Sequence, residues 1–235
     1  MMKISEFAFT EYYHQYITIE ADDLTENLKD MIKVTEDDCY ALCSSYLAQD
    51  GLLMFNVLSI GSSWERCTKG LRKNAMLGYF SIEEVCEKEA RIVDPDARMI
   101  EKNKPFLEQM DEMFDDDLLK TRSDARLDSL RDLFYPDIVL AGIVSDSTLM
   151  EYDMCITGVK GPFLAGTLEQ EPETDIGIHL DAPMYALPYV YDGNCRLFVL
   201  FAGEDLSEDE QNAMNKIITE MDKAGFDFNG LSIKN

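Results

Sequence analysis

The sequence predicts an α+β protein: a mixed and partly helical N-terminal portion, then a mostly antiparallel sheet or small barrel with one packed amphipathic helix. Three observations predict it. Helical spacing of apolar residues dominates the middle of the chain. From Asp137 onward that spacing gives way to short alternating runs separated by turn residues. A capping pair, Ser207 with Glu210, then opens one further helical stretch. The change of character near Pro136 is the predicted boundary, giving residues 1–136 and 137–235, with one intertwined domain as the alternative.

Taken in order, Gln15–Glu20 (QYITIE) alternates as a strand does, and a helix-like stretch from Asp22 or Asp23 follows through Leu24, Leu28, Met31 and Ile32. "TEDDCYALCSSYLAQDG" is predicted to be a helix. Thr35 can cap it, Asp38 stands at the third helical position, and Cys39, Leu42, Cys43, Tyr46 and Leu47 form one stripe that Gly51 can end. "LLMFNVLSIG" reads as a strand buried on both faces. The segment Ser62–Pro136 is predicted to be largely helical. Ser81 and Glu84 form a capping box ahead of Ile82, Val85, Cys86 and Ala90, and helices near Phe106–Leu119 and Ser123–Phe134 follow a break at Asp94–Asp96.

Strands are then predicted at Ile138–Val144, Tyr152–Val159, Phe163–Glu169, Pro183–Tyr191 and Arg196–Ala202. A helix at Ser207–Ala224 stops at Gly225, and "FDFNGLSI" can form a last strand. The glycines of "CITGVKGPFLAGTLEQEP" invite comparison with a phosphate-binding loop. Such a loop opens directly onto a helix N-terminus, and here β-formers flank Gly158, Gly161 and Gly166. The stretch is predicted to be a hairpin, with Gly161 in its turn and Gly166 at a bulge or a close backbone approach.

"MEYDMCITGVKGPFLAGTLEQEP" and "DIGIHLDAPMYALPYV", about Glu151–Tyr191, together resemble an uncharacterised group of small bacterial β-rich domains. That resemblance rests on a strand, a turn and a G-x-L-x-N-x-P-like corner. Met154, Ile156, Gln170 and Leu180–Asp181 depart from the group's pattern. It implies a bacterial source and a β-rich domain, and it transfers no catalytic residue.

Composition narrows the function. A formal net charge of -25 repels phosphate backbones and anionic membrane surfaces, so neither nucleic acid nor membrane is an expected partner. It suits a basic protein partner, or simple solubility. The apolar runs near Leu52–Leu58 and Ile138–Val144 are too short to span a bilayer, and a cytoplasmic protein is expected. The 6 cysteines include no C-x-x-C pair, and with 2 histidines no metal site or cofactor is expected. "DDD" at Asp115–Asp117 lacks the register of a calcium loop.

Candidate functional residues fall into three groups. Glu108, Asp111, Glu112, Asp115, Asp116 and Asp117 would form the acidic face of one helix, offered to a basic partner. His179 and Asp181 in "HLD" would share one strand face, where a carboxylate can fix an imidazole. In "IGSSWERC", Ser63 lacks the G-x-S-x-G elbow, while Cys67 stands near Arg66, Lys69, Arg72 and Lys73, which would lower the pKa of an exposed thiol. His14 sits among aromatics and reads as a packed residue. The expected function is a non-enzymatic binding, regulatory or immunity-type module; the alternative is a hydrolase-like enzyme at His179/Asp181 or Ser63/Cys67.

Overall fold

A computed structural model describes residues 2–21, 28, 34–35, 37–69, 78–145, 148–191, 194–203 and 206–223. The predicted C-terminal strand, Arg72, Lys73 and, Leu28 apart, the helical stretch after Asp22 lie outside them. The chain divides into two compact units, Met1–Phe114 with Leu133–Pro136 and Asp115–Asp132 with Asp137–Asn235. An α+β fold results.

The first unit runs β1 (Met2–Lys3), α1 (Phe9–Tyr12), β2 (Tyr16–Glu20), β3 (Tyr40–Leu47), β4 (Leu53–Gly61), α2 (Trp64–Lys69), β5 (Gly78–Ser81), α3 (Ile82–Val85), β6 (Glu89–Ile92) and α4 (Ala97–Asp111). Its six strands form an antiparallel sheet in the order β1-β6-β2-β3-β4-β5. Ile17, Ile19, Ala41, Cys43, Phe55, Val57 and Phe80 enter one core with Phe9 and Tyr12 of α1. On another core Leu42 and Leu58 meet Met99 of α4. Further along α4, Asn103 accepts a hydrogen bond from Asn56 Nδ2 at 3.0 Å, and Phe106 meets Tyr46 edge-on. Met99, Asn103 and Phe106 recur at i, i+4 and i+7, so they lie along one helix face.

Four predicted helices differ in the structure. Residues 40–47 form β3, not a helix, because β2 and β4 pair with both its edges and both its faces are buried, which hides the alternation. The Thr35–Asp38 signal is real but closes only a turn: Thr35 N and Oγ1 both donate to Asp38 Oδ2 at 2.8 Å. The Ser81–Glu84 capping box also forms, yet α3 lasts one turn, and Ala90 is drawn into β6 opposite Met2 and Ile19. The supposed helix at Phe106–Leu119 is two helices. One is α4, which Asp96 caps by accepting from Arg98 N; the other is α5 (Asp116–Arg122), which Asp115 caps by accepting from Asp117 N. At Ser123–Phe134 only a 3-10 stretch, Ala125–Leu130, is found.

The second unit continues from α5 into β7 (Ile138–Ser145), β8 (Thr148–Lys160), β9 (Phe163–Leu168), β10 (Pro183–Tyr191), β11 (Asn194–Ala202) and α6 (Glu208–Lys223). The five strands predicted between Ile138 and Ala202 are all present. The five strands close a barrel in the order β10-β11-β7-β8-β9, sealed by β9 against β10. All pairings are antiparallel except β11 with β7, which run parallel and meet at Phe198 and Gly142. Val139, Ala141, Met154, Ile156, Leu164 and Leu197 fill the interior together with Leu127 of the 3-10 stretch. A separate cluster joins Phe163, Tyr185 and Phe201 to Met214, Ile217 and Ile218 of α6. The β8–β9 hairpin turns at Gly161, whose φ is +59°, the left-handed region where a side chain is strained.

Candidate functional site

The outward face of the barrel is built from alternation. Along β7, Val139, Ala141 and Ile143 point inward, so Leu140, Gly142 and Val144 point out. Leu140 is 37% exposed and Val144 63%. On β8 the register sets Leu149 opposite Val144, Glu151 opposite Gly142 and Asp153 opposite Leu140, all on the same outer face. On the other flank Phe198 lies beside Gly142. Because β11 runs parallel to β7, Leu200 lies toward the Val144 end and Arg196 toward the Leu140 end. Leu149 and Leu200 are themselves well exposed, at 41% and 47%.

Gly142 is the centre of this surface. A Cβ there would stand 2.8 Å from Leu149 Cδ1, so the missing side chain leaves room for the leucine. Leu140, Gly142, Leu149, Glu151, Arg196 and Phe198 are among the residues lining a shallow dent of about 20 Å³. The site is an aliphatic and aromatic surface with two acids on its β8 flank and one arginine on its β11 flank. It can bury another apolar surface.

The nominated catalytic residues lie elsewhere. His179 and Asp181 are exposed in the loop before β10, not on a strand. The partner of His179 is Glu171, with Nδ1 to Oε1 at 2.8 Å, and the other Glu171 oxygen accepts from Leu180 N at 2.8 Å. The pair is a loop clamp: Glu171 raises the His179 pKa above its ordinary value, while the Leu180 N–H and His179 lower that of Glu171. The clamp's contribution is therefore fully present below the ordinary histidine pKa and is lost as pH rises through the raised one. On the acid side it is lost as pH falls through the lowered Glu171 value. An NMR titration of His179 is expected to show a lower midpoint in Glu171→Gln than in the wild type. Equal midpoints would remove the clamp.

Cys67 is buried, and its Sγ donates to the Tyr40 carbonyl at 3.2 Å, so the exposed thiol that nearby cations could activate is absent. Ser63 starts α2, its carbonyl accepting from Arg66 N and Cys67 N at 3.1 Å. Trp64 stacks on Tyr40, with the Arg91 guanidinium 5.1 Å from its ring centre. None of the six cysteines forms a disulfide, and burial raises the pKa of Cys43, Cys155 and Cys195. Among the described residues there is no His, Cys, Asp or Glu group able to hold a metal.

The six acids do not form one helical face. Glu108, Asp111 and Glu112 belong to the first unit and Asp115, Asp116 and Asp117 to the second. Asp111 is engaged inside its own unit: its Oδ1 lies 3.2 Å from His14 Nε2 and 3.5 Å from the Tyr13 hydroxyl. His14 stacks on Tyr13 with ring centres 4.0 Å apart, as an aromatic packing residue should. The Tyr13–Asp111 contact joins residues 98 positions apart, and nothing in either local sequence announces it.

A cavity of about 230 Å³ opens between the β8–β9 turn and α6, lined in part by Lys160, Tyr185, Gln211 and Asn215. Lys160 Nζ lies 4.8 Å from the Tyr185 ring centre. None of the nominated catalytic residues lines it. No helix among the described residues is long and apolar enough to cross a membrane. Comparison with protein-family models, curated proteins and solved structures found no match to this chain.

Proposed function

We propose that the protein is a non-enzymatic binding module of the regulatory or immunity type, acting in the cytoplasm on a basic protein partner. One observation carries this reading: the barrel leaves Leu140, Val144, Leu149 and Leu200 exposed on one outer face. Exposed apolar residues gathered on one face, with polar groups at the rim, are the usual mark of a protein-binding surface. The -25 charge supports a basic partner and disfavours nucleic acid and anionic membranes. Exposed acids such as Glu112, Asp115 and Asp116 steer that partner's approach, so association slows as salt rises. The hydrolase alternative is not favoured, because Cys67 is buried and His179 is tied to Glu171 rather than to Asp181.

Val144→Asp tests the reading, since it alters a side chain that is mostly in solvent and leaves the barrel interior intact. It is expected to weaken the partner complex by at least about 2 kcal/mol, roughly 30-fold in Kd, as loss of a hot spot does. His179→Ala and Ser63→Ala are expected to leave it unchanged. Unchanged affinity in Val144→Asp, or loss in either of the other two, would refute it.

A further inference from the structure

We infer, resting on the protein-binding reading above, that the partner lays an amphipathic α-helix with a basic flank across the outer face of β7, β8 and β11. The barrel is closed, so each described strand has a neighbour on either flank and none is the edge strand of an open sheet. A partner must therefore engage side chains on the face. The barrel already covers one apolar exterior cluster in this way. Met214, Ile217 and Ile218 of its own α6 pack on Phe163, Tyr185 and Phe201. The approach there is close, since a Cβ on Gly161 would stand 3.1 Å from Ile218.

The Val144 face has the same aliphatic and aromatic character, and it has the same device of a glycine that lowers its centre, Gly142. A helix about 10 Å across matches a face three strands wide, with strands roughly 4.8 Å apart. Charge sets its polarity. Glu151 and Asp153 stand along the β8 flank, so the helix side over β8 carries lysine or arginine. Arg196, on the β11 flank, takes an acid. An α6 helix from a second copy does not fit, because its first turn is Glu208, Asp209 and Glu210 and would set acid against acid.

The test is a photo-crosslinking amino acid placed at 144 or 149 of the full chain in its native cell, with the crosslinked partner peptide mapped by mass spectrometry. The expected peptide has apolar residues at i, i+3 or i+4, and i+7, with Lys or Arg on one flank. Glu151→Lys is expected to lower the yield at least about tenfold, whereas His179→Ala leaves it unchanged. A crosslink to an acidic or non-helical segment, or a yield indifferent to Glu151→Lys, overturns the helix inference and leaves protein binding standing. No crosslink from either position overturns both.

Discussion

Asp137→Ala is expected to cost the barrel unit about 3–5 kcal/mol, the penalty for stripping one partner from a buried ion pair. Asp137 precedes β7 and accepts from Arg122 Nη2 at 2.6 Å and from Arg122 Nε at 3.1 and 3.2 Å. The Arg122 side chain is 0% exposed and that of Asp137 is 9%. Arg131 feels the same carboxylate and is itself nearly buried, its Nη2 donating to the Thr121 carbonyl at 2.5 Å. Removing Asp137 therefore leaves two buried guanidiniums short of one counter-charge. Replacing both members of the pair, Arg122→Met with Asp137→Leu, is expected to cost much less, because no charge is then stranded at that position. Urea unfolding of the three proteins checks this. A loss under about 1 kcal/mol for Asp137→Ala would show that solvent already reaches the pair.

Gly166→Ala is expected to destabilise by about 3 kcal/mol or more, at the upper end of core overpacking. The reason is space. A Cβ at Gly166 would lie 2.3 Å from the Cys155 carbonyl oxygen and 2.6 Å from Met154 Cε. The first is backbone of the paired strand β8 and cannot swing aside. Gly51→Ala provides the contrast: its φ of +83° strains any side chain, but nothing lies within 4 Å, so about 1 kcal/mol is expected. Denaturant midpoints for the two variants separate crowding from conformational strain. Equal losses would mean that β8 and β9 are less closely apposed than their register implies.

The barrel was legible because its strands carry turn residues between them and alternate within. Pro183–Tyr191 has the same bounds in sequence and structure, and Gly161 and Gly166 have the turn and close-approach roles that their neighbours implied. The first unit was less legible for a physical reason. In β3, Ser44 and Ser45 are fully buried, and alternation vanishes when both faces of a strand are covered. Ser45 is tolerated because its hydroxyl donates to the Tyr12 carbonyl, a partner 33 positions away that no local pattern reveals. Asn56 and Asn103 are hidden in the same way, each polar in sequence and buried in the fold. Caps were read correctly at Ser81 and Ser207, while the Thr35–Asp38 bonds close a turn ahead of β3 rather than a helix; a cap marks where a helix can start and says little about how far it runs.

The proposed binding face was half legible. "IVLAGIV" reads as a buried strand, and the structure buries the Val139, Ala141 and Ile143 side while Leu140 and Val144 stay exposed. That discrepancy is what turns Leu140 and Val144 from core residues into candidate contacts.

Amide hydrogen exchange of the full protein, with and without its captured partner, tests the binding-face account most directly. Added protection is expected in β7, β8 and β11 around Val144, Leu149 and Phe198, with the 171–181 loop and residues 62–69 unchanged. Protection confined to that loop or to residues 62–69, with β7 exchanging as before, would contradict it.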